Sequence, residues 1–245
     1  MATSYPDRTN ASGIWTLSEI TKNKKTEGTW PGSFGQRGLF GGGADPGASN
    51  IIDYITISTA GNATDFGDLQ TARSQMGQAS SVTRGIFIGG STHPAHINTI
   101  GYVTIVTTGD AADFGDMATA NRGGAACSNT TRALIGGGNA LGANTEKIEI
   151  ATLGSAVDFG GDLTASRAAA AALASPTRGV WAGGDAGSPN DQYNIMDFFE
   201  FSTGADAVDF GDLLVADRFK ISAGSSTRGL FAGGSQPTVV STIDT

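Results

Sequence analysis

The chain has 245 residues, 39% of them hydrophobic, and carries a net charge of −8 with only 16% charged residues. That length can bury a sizeable core, and the acidic balance excludes a nucleic-acid binder, which needs a basic surface to meet phosphates. Thirty-seven glycines are roughly twice the usual 7% without a Gly-X-Y period, which excludes collagen and leaves a turn-rich β protein.

The N-terminal "MATSYPDRTN" lacks the basic start and apolar core of a signal peptide, and no stretch reaches the roughly 20 apolar residues of a membrane span. The expectation is a protein made in a cytosol. Next come two apolar stretches, "GIWTLSEI" from Gly13 and "GTWP" from Gly28, and then the first copy of a phrase that recurs along the chain. It reads "QRGLFGGG" from Gln36, "TRGIFIGG" from Thr83, "TRALIGGG" from Thr131, "TRGVWAGG" from Thr177 and "TRGLFAGG" from Thr227. Its arginines, Arg37, Arg84, Arg132, Arg178 and Arg228, stand 47, 48, 46 and 50 residues apart. Periods of about 40 to 50 residues are those of propellers and related arrays.

After each double glycine comes a variable loop, and after the loop a segment of alternating, β-branched character: "NIIDYITIST", "NTIGYVTIVTT", "TEKIEIATL" and "NIMDFFEFST". Each predicts a strand. A second phrase then closes the unit: "DFGDLQTAR" from Asp65, "DFGDMATANR" from Asp113, "DFGGDLTASR" from Asp158 and "DFGDLLVADR" from Asp209. Small-residue stretches such as "RSQMGQASS" and "RAAAAALAS" lead into the next copy. Alanine favours helix in the latter, but its glycine- and serine-rich siblings do not, so the repeat predicts a strand there, innermost in the ring where bulk does not fit.

The fold predicted is all-β: a five-bladed propeller over 35–245 preceded by an N-terminal segment, 1–34. The fifth unit has "RGLFAGG" and "PTVVSTID" but lacks a final strand, and a strand at about 13–18 is expected to close the ring and cover the open sheet edge.

The repeated residues predict scaffold roles. Phe66, Phe114, Phe159 and Phe210 should pack between blades, and Gly67, Gly115, Gly160 and Gly211 should turn with positive φ. Nine of ten arginines fall at two repeat positions, the second being Arg73, Arg122, Arg167 and Arg218. They are expected to pair with repeated carboxylates such as Asp65, Asp68, Asp113 and Asp116, the alternative being an anion channel on the axis. The two carboxylates of "DFGD" could be calcium ligands or a general acid and base, but calcium loops bring three or more oxygens at close spacing. Repetition favours turn capping. The single Cys127 can form no internal disulfide and is expected to be a small apolar filler.

No cofactor or metal is expected. His93 and His96 have no evident third ligand, and they read as members of an exposed loop. The variable loops are the candidate binding surface, with His93, His96, Asp185, Asn190, Asp191, Gln192 and Tyr193 as its polar and aromatic residues.

The double glycine, the aromatic of the next strand (Tyr54, Tyr102, Phe199), the aromatic-x-x-Leu of Phe66 to Leu69 and the following arginine together resemble the kelch repeat over about residues 35–245. The chain departs from it in using phenylalanine where kelch uses tryptophan, and in lacking the acidic residue after the double glycine. The wording "TAGNATDFGDLQTAR" with "STRGLFAGG", "GIWTLSEI" and "GTWP" resembles kelch-like structural proteins of tailed phages, particularly those of marine cyanobacteria. That resemblance implies a virion component of tail, fibre or surface appendage, made in the host cytoplasm. Its implied partners are other virion proteins, a host-surface glycan and further copies of itself. The alternatives are a free five-bladed glycan-binding lectin, which would carry like loops in every blade, and a glycoside hydrolase, which would need two carboxylates at unique positions.

Overall fold

Alternation of apolar and small or polar residues, broken by glycine-rich turns, builds eighteen short strands in the computed structural model, which describes residues 37–44, 46–187, 191–225, 227–235, 239 and 241–245. No helix occurs among them. The strands form five antiparallel sheets arranged as a five-bladed β-propeller. The first sheet holds β1 (Arg37–Gly41), β2 (Ile51–Thr56) and β3 (Thr64–Asp68). The second holds β4 (Gly77–Ser80), β5 (Arg84–Ile88), β6 (Thr99–Thr104) and β7 (Ala112–Asp116). The third holds β8 (Ala125–Ser128), β9 (Arg132–Gly136), β10 (Thr145–Glu149) and β11 (Val157–Asp158). The fourth holds β12 (Ala171–Ala174), β13 (Arg178–Ala182), β14 (Ile195–Glu200) and β15 (Val208–Asp212), and the fifth β16 (Ile221–Gly224), β17 (Gly229–Ala232) and β18 (Ile243–Asp244).

Within every sheet the strands neighbour one another in chain order. The small-residue strands β4, β8, β12 and β16 are the inner ones and lie beside each other around the ring. The alanines of β12 thus form a strand, as their siblings require: the register of the repeat overrides helix propensity.

Blades are held by apolar layers between sheets. Leu39, Phe66, Phe87, Val103 and Ala111 fill the space between the first and second, and Phe159, Trp181, Phe199 and Phe201 the space between the third and fourth. Cys127 is buried in that layer, where burial pushes its thiol pKa well up, so it fills space as expected. The outer strands also bond to the following sheet. Gly109 N–H donates to Phe66 O (2.7 Å) and Ala111 N–H to Asp68 O (2.8 Å); Gly154 and Ala156 do the same to Phe114 O and Asp116 O, and Ala207 to Asp162 O.

The aspartate of each second phrase caps its own turn: Asp65, Asp113, Asp158 and Asp209 accept from the glycine N–H two residues on, at 2.9 to 3.2 Å. Those glycines have φ between 97° and 142°, as expected.

Three expectations are corrected. First, two sheets rather than one are a strand short among the described residues: the fifth lacks its outer strand, and the first lacks its inner one, because the inner small-residue strand belongs with the "RGxF" strand that follows it. The closing strand expected at about 13–18 lies outside the described residues. Second, Phe66, Phe114 and Phe159 are 2 to 3% exposed, but Phe210 is 53% exposed, since no segment of the fifth sheet lies over it among the described residues. Third, the second-phrase arginines share neither one repeat position nor the expected partners. Backbone bonds place Arg73, Asn121, Arg167 and Asp217 in register, their carbonyls accepting from the glycines Gly43, Gly90, Gly138 and Gly184. Arg122 and Arg218 stand one place further on. The first aspartates of the second phrase, Asp65 and Asp113 among them, are occupied with their turns, and Arg73 donates instead to the carbonyls of Gly89 (3.1 Å) and Thr99 (2.8 Å).

Candidate functional site

Because each sheet is an antiparallel meander, the connections from second to third strand emerge at the same end as the crossovers from one sheet's outer strand to the next sheet's inner strand. The two sets lock together. Ser74 bridges Ser91, Ala168 bridges Asp185 and Arg218 bridges Ser235, so the loops of the second, fourth and fifth sheets are each stitched to the crossover that leads into their own sheet. A double glycine precedes each of these points; Gly89 and Gly90, for example, have φ of 59° and 110°. A Cβ on Gly90 would stand 2.7 Å from the Ser74 carbonyl oxygen, so the tight approach of chain to chain requires glycine there.

In the second sheet's loop, His93 is exposed and His96 half-buried. His93 Nε2 lies 2.9 Å from Ser74 Oγ, and its backbone N–H donates to Ser91 Oγ. A hydroxyl beside an imidazole is half of a nucleophile and base arrangement, but Ser74 is buried and the ring has no carboxylate partner among the described residues. The contact works as a latch. Sequence reasoning missed Ser74, whose only signal was its place next to Arg73 in the crossover.

In the fourth sheet's loop, Asp185 is buried: Oδ1 accepts from Gly187 N–H (2.8 Å) and Oδ2 from Arg218 Nη1 (3.0 Å). It shapes the loop from within. Asp191 is exposed, and Gln192 and Tyr193 are half-buried; Tyr193 N–H donates to Gly184 O. Asn190 lies outside the described residues. The two loops belong to the second and fourth sheets, with the third between them, so the histidines and the 185–193 group are not brought into one cluster.

Inside the ring the crossovers that begin with Arg73, Arg167 and Asp217 bring buried charge to the third strand of the sheet that follows. Arg167 Nη2 donates to Asp197 Oδ2 at 2.8 Å with both side chains fully buried; burial lowers the guanidinium pKa and the Asp197 charge opposes that. Asp217 and Asp244 instead share Lys220, whose Nζ lies 3.0 and 2.9 Å from them. Burial alone would lower the Lys220 pKa, but the two carboxylates prevail and raise it. Burial raises the Asp217 carboxyl. Arg73 faces Gly101 and has no carboxylate partner among the described residues, and burial lowers its pKa to about 10.

Arg167 is thus spent on Asp197 and Lys220 on Asp217 and Asp244, in enclosed pairs. Among the described residues no group of three or more His, Cys, Asp or Glu side chains is placed to hold a metal ion, and no helix is long and apolar enough to cross a membrane. No protein-family model matches this chain, and no curated protein sequence matches it.

Proposed function

We propose that this chain is a non-enzymatic virion protein of a tailed phage, a rigid propeller that docks among other virion proteins and presents its variable loops to a host surface. One observation carries the reading. Many of the repeated polar and charged side chains are taken up by turns, crossovers and ion pairs, while the exposed residues at the loop end differ from blade to blade: His93, Pro94 and Ala95 in the second sheet's loop against Ala186, Gly187 and Asp191 in the fourth's. A constant scaffold with latched, unlike loops presents a surface in fixed geometry. Such a protein gives one asymmetric contact surface, whereas a lectin with a sugar pocket in every blade would carry like loops. The kelch-like wording of the repeat and its likeness to phage appendage proteins give the class of particle, and synthesis in the host cytoplasm follows from it.

The test has two arms. Mass spectrometry of purified particles is expected to find the chain, and a glycan array on the isolated protein to give binding that disappears when residues 91–96 and 185–193 are replaced by a short "SQP" loop. Absence from the particles together with turnover of a sugar substrate would overturn the proposal and restore an enzyme.

A further inference from the structure

Four of the crossovers are bonded to one another about the axis. Gly123 N–H donates to Gln75 O (3.0 Å), Ala169 N–H to Gly123 O (2.8 Å) and Phe219 N–H to Ala169 O (2.9 Å). Each of these residues stands two places before an inner strand, β4, β8, β12 or β16. The residue preceding each, Ser74, Arg122, Ala168 or Arg218, bonds to the start of its own sheet's variable loop, so the arc lies at the loop end. All four have left-handed backbones, with φ of 55° to 68°, a conformation that glycine adopts freely and a bulky side chain resists. Phe219 holds it while 54% exposed, whereas its neighbour Ala169 is 8% exposed. Neither backbone nor burial favours phenylalanine there, and strain of this kind gathers where a ligand is held. A second feature marks the ring: Arg218 Cζ lies over it, 5.1 Å from the centroid, and Asp185 fixes that guanidinium from the fourth sheet's loop (3.0 Å).

We propose, on the reading of this chain as a virion protein that touches a host-surface glycan, that Phe219 is the platform on which a sugar ring stacks at the mouth of the axis, and that the sugar carries a carboxylate. A pyranose turns a face of C–H bonds outward, which packs against the electron-rich face of an aromatic ring. Phenylalanine has no polar group to orient such a ligand, so orientation falls to its polar neighbours. Gln75, exposed at the far end of the arc, offers an amide to the sugar hydroxyls. Arg122 stands in the third sheet's crossover where Arg218 stands in the fifth's. It is half-buried, next to Gly123 of the arc, and its guanidinium makes no bond among the described residues. A free guanidinium matches a carboxylate through two parallel N–H donors. With a net charge of −8 the chain repels anions in general, so an acidic sugar is selected only where an arginine stands without a partner.

The experiment is a printed array of neutral, uronic-acid-bearing and sialic-acid-bearing glycans, probed with the full chain and its variants, with a thermal melt of each. The wild type is expected to bind acidic glycans above neutral ones. Phe219→Gly relaxes the left-handed backbone, so it should melt at or above the wild-type Tm while its array signal falls by about tenfold or more, the loss of one stacked ring. Phe219→Trp should keep the signal, and Arg122→Gln should fold like the wild type and bind acidic and neutral glycans alike. If Phe219→Gly does not fold, Phe219→Gln, with the residue found at position 75, replaces it. A signal that survives the loss of the ring, or wild-type binding to neutral glycans only, overturns the proposal. If that surviving signal disappears when residues 91–96 and 185–193 are replaced, the glycan contact stands and lies in the loops instead. A chain that is found in particles but binds no glycan overturns the platform and the glycan contact together, and leaves the virion component standing.

Discussion

Asp197 and Gly101 occupy the same place in the fourth and second repeats, Asp197 opposite Trp181 and Gly101 opposite Phe87, and what faces them is a buried arginine in both cases. Arg167 has its counter-ion; among the described residues Arg73 has backbone carbonyls alone. Removing one member of a buried pair leaves an uncompensated charge, so Asp197→Ala is expected to destabilise by about 3–5 kcal/mol, read as a drop in Tm. Asp197 also holds Thr164 through Oγ1 (2.7 Å), which adds to the loss. The reciprocal change, Gly101→Asp, is expected to raise Tm by supplying Arg73 with a carboxylate. A Cβ there would stand 3.2 Å from Arg73 Nη2 and 3.3 Å from Gln70 Oε1, both ends of flexible side chains that can shift. Gly101→Ala is the control; if it raises Tm as much as Gly101→Asp, the gain comes from backbone entropy and not from the charge.

That pairing also shows where the sequence was readable. The period, the strand types, the turn-capping aspartates and the five sheets were all legible, because each is written four or five times and errors in one copy are corrected by the others. The crossover was not. Its first position holds Arg73, Asn121, Arg167 and Asp217, which share no side-chain chemistry, and a nearby Arg122 or Arg218 imitates the pattern one place late. What defines the position is its carbonyl and the left-handed residue two places on, Gln75, Gly123, Ala169 or Phe219. The loop end was legible as a surface, but Asp185 looked exposed when it is a latch: its partner Arg218 is 33 residues away, a separation that local pattern does not report.

Lys220 between Asp217 and Asp244 gives a prediction with a pH signature. Lys220→Met leaves two buried carboxylates facing each other with no cation, and should destabilise at pH 7 by about 3–5 kcal/mol. The two carboxyls then hold protons more tightly in the folded than in the unfolded chain. For such groups the penalty applies above the raised folded pKa and disappears below the unfolded one, so the variant should regain Tm relative to wild type as pH falls from 7 towards 4. A Tm difference that stays constant over that range would show that the carboxylates are not the cause.

The turn in the second phrase separates two effects that share one site. Asp113→Ala removes the bond to Gly115 N–H and should cost about 0.5–1.5 kcal/mol. Gly115→Ala acts on the backbone: φ is 142°, and a Cβ would meet the Gly154 carbonyl carbon and oxygen at 2.6 Å each. Strain of about 1–3 kcal/mol from the backbone conformation adds to the overlap, and main-chain atoms of the next blade cannot swing aside. Thermal melts should therefore rank Gly115→Ala well below Asp113→Ala; the reverse order would mean that the junction yields easily.

Glu146 is the counterpart of Asp197 in the third sheet, but it meets Asn121's position and not an arginine. Its carboxyl is buried, and burial raises its pKa despite the bond from Ala118 N–H to Oε2 (3.2 Å); the charge of Asp158 raises it further. A carboxylate with a raised folded pKa destabilises the fold while it is ionised, above that value, and ceases to do so below the unfolded value of about 4.3. Glu146→Gln keeps an oxygen to accept from Ala118 and removes the charge. It should therefore melt higher than wild type at pH 7, with the advantage shrinking as the pH is lowered and vanishing near pH 4. Melts in a series of buffers between those limits test the sign directly, and an advantage that instead grows on acidification would mean that the Glu146 charge stabilises the fold.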